Sequence, residues 1–223
     1  ERGLSSWFSE QAKGQQCEIT HFDDGGESIL LIRHGTYLRA FPHWLDDELS
    51  VIPLRMALED IIIFEREKGL IRIRTGGQKE RKEYLRLFAL HVLGDEELAK
   101  QAETEEVFTL TPIQSGDFSF AGAGAITRVQ LRHVRMRLYG VTETIINISS
   151  PDVAISFEHD MQGLSLASGL LMSAKLKFHI QYPGERATSR TFTISPPSRS
   201  DLPDRRDREL VMGYLEAQGI VLR

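Results

Sequence analysis

Four arginines and a histidine, Arg128, Arg132, His133, Arg135 and Arg137, fall within ten residues of one alternating stretch, ITRVQLRHVRMRLYG. Strand alternation turns Arg135 and Arg137 away from the face that carries Val134, Met136 and Leu138, and guanidinium groups on a wet face suit phosphate oxygens or an acidic protein surface. The same row suits another purpose, because basic residues on an edge strand discourage sheets from adding to one another. A second basic set comes from Arg72, Arg74, Lys79 and Lys82. Residues 66–86 hold eight basic residues against three acidic ones, and residues 94–106 hold six acidic residues against one lysine, so adjacent segments carry opposite charge. Such runs serve as solvated surface, or the acidic segment pairs with the basic one and shields it. His159 with Asp152, Glu158 and Asp160 is ligand-like in composition, but on a strand Glu158 and Asp160 share one face and His159 the other, which argues against a common metal.

Two shorter constellations point to phosphoester chemistry. Leu31-Ile32-Arg33-His34-Gly35-Thr36 resembles the strand-end motif of the histidine phosphatase family, which implies that His34 takes the phosphoryl group and Arg33 binds it. The resemblance covers six residues. LSVIPLRMALE distantly resembles that family's second arginine motif, with Arg55 in the role, but no later His-Gly motif follows: His159 stands in FEHD and His179 in KFHIQ. Asp60 with Glu65 and Lys68 loosely resembles the PD-(D/E)xK nuclease arrangement, which implies carboxylates that hold Mg²⁺ and orient a water. Glu65 and Lys68 are separated by two residues where that family has one.

The elements that would position these residues centre on Asp60 to Gly94. DIIIFEREKGLIRIRTGG reads as two strands joined at Glu67-Lys68-Gly69, followed by a charged helix in which Tyr84, Leu85, Phe88 and Val92 share a face and Gly94 caps the end. Upstream, residues 4–13 form a short amphipathic helix, and CEITHF and SILLIRHG are strands around the DDGGE turn. TYLRAFPHWLDDELSVIPLRM, with two prolines and no clear period, reads as a long irregular connection packed by Phe41 and Trp44. The acidic segment up to Glu106 reads as a linker that divides the chain into an N-terminal α+β part, residues 1–106, and an antiparallel sheet part, residues 107–223. In the second part FTLTPI, FAGAGAI, TETIINI, DVAISFE, AKLKFHIQ and TFTIS read as strands, with a β-bulge near Arg132-His133 where the alternation changes phase. A helix capped by Asp204, apolar along Leu210, Val211, Tyr214 and Leu215 and ended by Gly219, closes the chain and docks on the sheet.

The fold class expected is therefore α+β, mainly antiparallel sheet with a few peripheral helices including one at the C-terminus. At 223 residues, 41% hydrophobic and 26% charged, the chain has ample core. A net charge of -5 and a pI near 5.8 exclude a global field that recruits nucleic acid or membrane, so any such contact is local. The single cysteine, Cys17, excludes an intramolecular disulfide and a multi-cysteine zinc site and fits a reducing, cytoplasmic compartment, with the thiol itself inert. No apolar run approaches the roughly 20 residues of a membrane span. The chain begins at Glu1, so processing or a longer parent is expected. No complete catalytic set is present, and the preferred expectation is a non-catalytic interaction module of a larger assembly. It meets a protein partner's acidic surface, or nucleic acid, through Arg72, Arg74, Lys79, Lys82, Arg128, Arg132, Arg135 and Arg137, with no metal or cofactor. A phosphoester-acting enzyme, nuclease-like or histidine-phosphatase-like, is the alternative.

Overall fold

The computed structural model describes residues 1–202 and 206–222. About 41% of the chain is strand and 26% helix, and the sheets are antiparallel, so the class is α+β. The chain divides into two compact units, Glu1–Glu103 and Thr104–Arg223.

The first unit opens with helix α1 (Arg2–Glu10) and strands β1 (Cys17–Asp24) and β2 (Glu27–Gly35), joined by a turn in which Gly25 and Gly26 both have positive φ. Strands β3 (Arg39–Leu45) and β4 (Glu48–Leu54) form a separate two-stranded sheet. Strand β5 (Ala57–Glu65) returns to pair with β2 and with β6 (Leu70–Arg74), giving the sheet order β1-β2-β5-β6. Helix α2 (Gln78–Phe88) follows, and a wider helical turn over Ala89–Leu93 ends at Gly94 with φ 77°. Leu4 and Phe8 of α1 pack with Tyr84 and Phe88 of α2 over Ile32 and Ile62 of the sheet. Both helices thus cover the face of the sheet that carries Ile32 and Ile62.

Three expectations in this unit are corrected. Residues 36–56 are not an irregular connection but a β-hairpin, and Trp44, 73% exposed, packs no core. The hairpin accommodates its two prolines because Pro42 and Pro53 occupy ladder positions that need no N–H toward the partner strand. Val92 is exposed, since the wide turn shifts the helical phase after Phe88. The acidic segment is not all linker: helix α3 spans Glu97–Thr104 and buries Ala99 against Leu85 and Ala89.

The second unit is built on two long strands. Helix α4 (Thr111–Ser115) and strand β7 (Ala121–Ala123) lead into β8 (Ile126–Leu138), β9 (Ile145–Ser149) and helix α5 (Val153–His159). Strands β10 (Gly169–Ile180), β11 (Thr188–Ser195) and β12 (Arg199–Ser200) precede helix α6 (Arg208–Ala217). The order is β12-β11-β10-β8-β7, with β9 also on β8. Val129, Leu131, Val134 and Met136 of β8 and Leu176, Phe178 and Ile180 of β10 face a single core closed by Val153 and Phe157 of α5 and by Val211, Tyr214 and Leu215 of α6. Gly219, φ 71°, follows α6, and the expected cap Asp204 lies outside the described residues.

The bulge expected near Arg132-His133 is present: Lys175 pairs with His133 and Leu176 with Leu131, leaving Arg132 as the extra residue. Two strands expected here are absent. FTLTPI contributes one bridge, Phe108 to Val221, before α4 begins at Thr111. DVAISFE is helix α5, since Val153 and Phe157, four residues apart, are the residues it buries, a helical rather than an alternating spacing.

Candidate functional site

Strands β8, β10 and β11 put one side of every alternation into the core and the other onto a common outer face. Along β10 the outward residues are Lys175, Lys177 and His179, and across β11 they meet Thr193, Thr191 and Ser189 in turn. Across β8 they meet His133, Gln130 and Arg128. The bulge at Arg132 keeps this phase, so that Arg135 and Arg137 continue on the outer face while Val134 and Met136 stay buried. Without the extra residue the two halves of β8 would show opposite sides, and half of its arginines would enter the core.

This face carries six formal cations, Arg128, Arg132, Arg135, Arg137, Lys175 and Lys177, and none of the residues at these positions is acidic. Residues 104–223 hold thirteen basic and thirteen acidic residues, so the positive face reflects segregation of charge and not composition. Arg132, His133, Ser149, Lys175, Lys177, Ser189 and Thr191 line a shallow open depression of about 570 Å³. Carboxylates reach only its margins: Asp152 lies 3.4 Å from Arg128 and Glu143 3.6 Å from Arg137. Arg132 donates to the Pro151 carbonyl at 2.9 Å, which fixes its guanidinium without neutralising it. Among the described residues no carboxylate pairs with Arg135, Lys175 or Lys177.

His179 donates from Nε2 to the Gln130 side-chain oxygen at 2.9 Å, and His133 Nδ1 is 2.8 Å from the Ser149 hydroxyl. Burial, and then the positive fields of Lys177, Arg128 and Arg132, hold His179 below its ordinary pKa. The Arg137 Nε is buried without a hydrogen-bond partner, an N–H held unsatisfied at the end of the arginine row.

The basic residues of the first unit are arranged differently. Arg72 bridges Glu27 at 2.7 Å and Glu65 at 2.5 Å. Lys82 pairs with Glu103 at 3.0 Å and Arg86 with Glu96 at 3.2 Å, so the acidic segment does pair with the basic helix. Arg74 and Lys79 are exposed. The expected binding set therefore divides, with Arg128, Arg132, Arg135 and Arg137 on one face of the second unit, and Arg72 and Lys82 engaged in ion pairs of the first.

Nor does either expected phosphoester set come together as a site. Arg33 faces outward between Glu59 and Glu18, at 2.8 and 3.0 Å, whereas His34 is 3% exposed on the opposite side of the same strand. His34 Nε2 is 3.0 Å from Asp60 Oδ2 and Nδ1 is 2.9 Å from the Gly35 carbonyl, with the Phe8 ring stacked on the imidazole at 4.1 Å. Asp60 also accepts from Tyr84 at 2.6 Å and Thr75 at 3.0 Å. Burial works against its ionisation, but the bonds from His34, Tyr84 and Thr75 hold its pKa below the usual carboxylate value. Glu65 is an odd number of residues along the same strand, so it faces the other side of the sheet, held by Arg72 and by Lys68 at 2.9 Å. Among the described residues no group of three or more His, Cys, Asp or Glu could hold a metal ion. Burial pushes the Cys17 thiol up to about 11, away from thiolate chemistry.

The arginine row was legible from β8 alone. Lys175, Lys177, His179, Ser189 and Thr191 were not assigned with it, although the alternation of AKLKFHIQ already marks its lysines as outward. What the sequence does not contain is the register that lays β10 against β8.

No family model, no curated protein and no solved structure matches this chain.

Proposed function

We propose that this chain is a non-catalytic interaction module that takes an anionic macromolecule on the outer face of the β8–β10–β11 sheet, and that its ligand is the phosphate backbone of a nucleic acid. The observation that carries the reading is a face with six formal cations and no acidic residue in a unit whose basic and acidic residues balance. Ser149, Ser189 and Thr191 add hydroxyl donors between the cations, and phosphate oxygens are contacted by this combination of Arg, Lys, Ser and Thr. No Trp, Tyr or Phe occupies the outward positions of β8, β10 or β11 paired here, so there is no platform on which bases stack. Contact to the backbone without base reading follows. Arg128 and Arg137 are nine residues apart on β8, which spans on the order of 30 Å at about 3.3 Å per residue, room for several successive phosphates.

The test is fluorescence anisotropy of a labelled DNA or RNA oligonucleotide of mixed sequence, titrated with the full chain across a series of salt concentrations. Binding that weakens steeply with salt and varies little with sequence supports the reading. Binding of poly-glutamate with no binding of either nucleic acid at low salt would assign the face to an acidic protein surface instead.

A further inference from the structure

We propose that the β3–β4 hairpin is a dimerisation arm, on which a second copy of this chain docks its own hairpin about a two-fold axis with the two arms antiparallel. The inference rests on the first unit alone and is independent of the anion-binding face.

The pairing register sorts the hairpin into two sides. Ala40 with Pro53, Pro42 with Val51 and Trp44 with Leu49 occupy one side, and none of the six is polar. Trp44, Leu49 and Val51 are 73%, 64% and 56% exposed, and neither strand contains a buried residue. An isolated two-stranded ribbon is marginal in water, and contiguous apolar surface of this kind marks an interaction site.

Each edge of the ribbon is interrupted by a proline. Asp46 and Asp47 both have positive φ, 49° and 64°, the conformation of a two-residue type I′ turn. Such a turn makes Leu45 and Glu48 a hydrogen-bonded pair, so the alternation assigns Pro42 and Pro53 to non-hydrogen-bonded pairs, where backbone nitrogens face outward. Each edge thus lacks one of its outward N–H groups, which disfavours strand addition and leaves the apolar side for a partner.

That side is complementary to itself. Its bulk is graded, from Trp44 and Leu49 next to the turn to Ala40 and Pro53 at the base. Its charge is graded as well, with Asp46 and Asp47 at the turn and Arg55 at the base. Two arms stacked antiparallel bring the large residues of one over the small residues of the other and each acidic tip to a basic base. Stacked parallel, they would oppose Trp44 to Trp44 and acid to acid. The antiparallel, isologous arrangement is the closed one. One tryptophan and five smaller apolar residues from each copy bury on the order of 1,000 Å² in total, the threshold of a specific interface.

Sedimentation equilibrium of the full chain tests this. A concentration-dependent doubling of mass is expected, with the dimerisation constant weakened at least about tenfold by Trp44→Glu. Leu45→Glu, an exposed site on the opposite side of the ribbon, is expected to leave the dimerisation constant nearly unchanged, so that a loss on Trp44→Glu reports this side and not a general loss of folding. A chain that stays monomeric at all concentrations, a dimer indifferent to Trp44→Glu, or a dimer weakened as much by Leu45→Glu would overturn the proposal.

Discussion

His34 Nε2 lies 3.0 Å from Asp60 Oδ2 beneath the ring of Phe8, so two residues that suggest separate phosphoester chemistries are one buried pair. Both nitrogens of the ring face oxygens that accept, the Asp60 carboxylate and the Gly35 carbonyl. Asp60 draws donors from β2, α2 and the loop after β6, and thereby ties the sheet to the helix that covers it. Partners and burial make this a structural pin.

Removing the pin is costly. Asp60→Ala leaves His34, Tyr84 and Thr75 without an acceptor, and the first unit is expected to lose about 3–5 kcal/mol. Tyr84→Phe removes one bond to a charged group and is expected to cost about 1.5–3 kcal/mol. Urea unfolding followed by tryptophan fluorescence measures both, because the only tryptophans, Trp7 and Trp44, belong to the first unit.

The same unit is expected to fail in acid. Despite the opposing effect of burial, Asp60 is held low by His34, Tyr84 and Thr75, and Glu80 by its ion pair with Lys13. A carboxylate whose folded pKa is depressed contributes stability that is complete above the unfolded value, about 4, and is lost as pH falls through the folded one. Urea midpoints between pH 6 and 3 should therefore decline, and Asp60→Asn, already destabilised, should decline less steeply. Parallel curves would contradict the assignment.

On the second unit, binding and stability should separate. Lys175 is exposed and neither it nor Lys177 pairs with a carboxylate among the described residues, so Lys175→Ala with Lys177→Ala is expected to change unfolding stability by no more than about 0.5 kcal/mol per site. Affinity for a nucleic acid at low salt should fall at least about tenfold in the same variant. Thermal unfolding beside anisotropy checks this pair of outcomes.

Binding should also take up a proton. Apart from burial, the fields of Lys177, Arg128 and Arg132 depress His179, and a polyanion that neutralises them raises it again. The bound form then holds its proton more tightly than the free form, so affinity rises as pH falls from neutrality through the bound-state value. His179→Gln should flatten that rise. His133 remains on the same face in both proteins, so the difference between them isolates His179.

How much was readable in advance follows from the range of the interactions. The β5–β6 hairpin, the bulge at Arg132 and helix α6 are fixed by local signals: Gly69 at positive φ, a break in alternation, an apolar stripe before Gly219. Segments 39–54 and 153–159 were misread because their local signals conflict with what the chain does. Prolines stand at outward ladder positions in the first, and in the second a short run fits either period until Val153 and Phe157 meet the core. The arginines of the candidate face were legible and its lysines were not joined to them, because pairing β10 with β8 is a contact between residues some 40 positions apart.

The central claim concerns that face, and the salt dependence of its binding tests it most directly. The logarithm of the affinity for a labelled DNA duplex should fall linearly with the logarithm of salt concentration, and Lys175→Ala with Lys177→Ala should reduce the slope by about 2. Arg72→Ala, which alters an ion-paired arginine of the first unit, should leave the slope unchanged. No binding at low salt, or a slope that Lys175→Ala with Lys177→Ala leaves intact, would contradict the account.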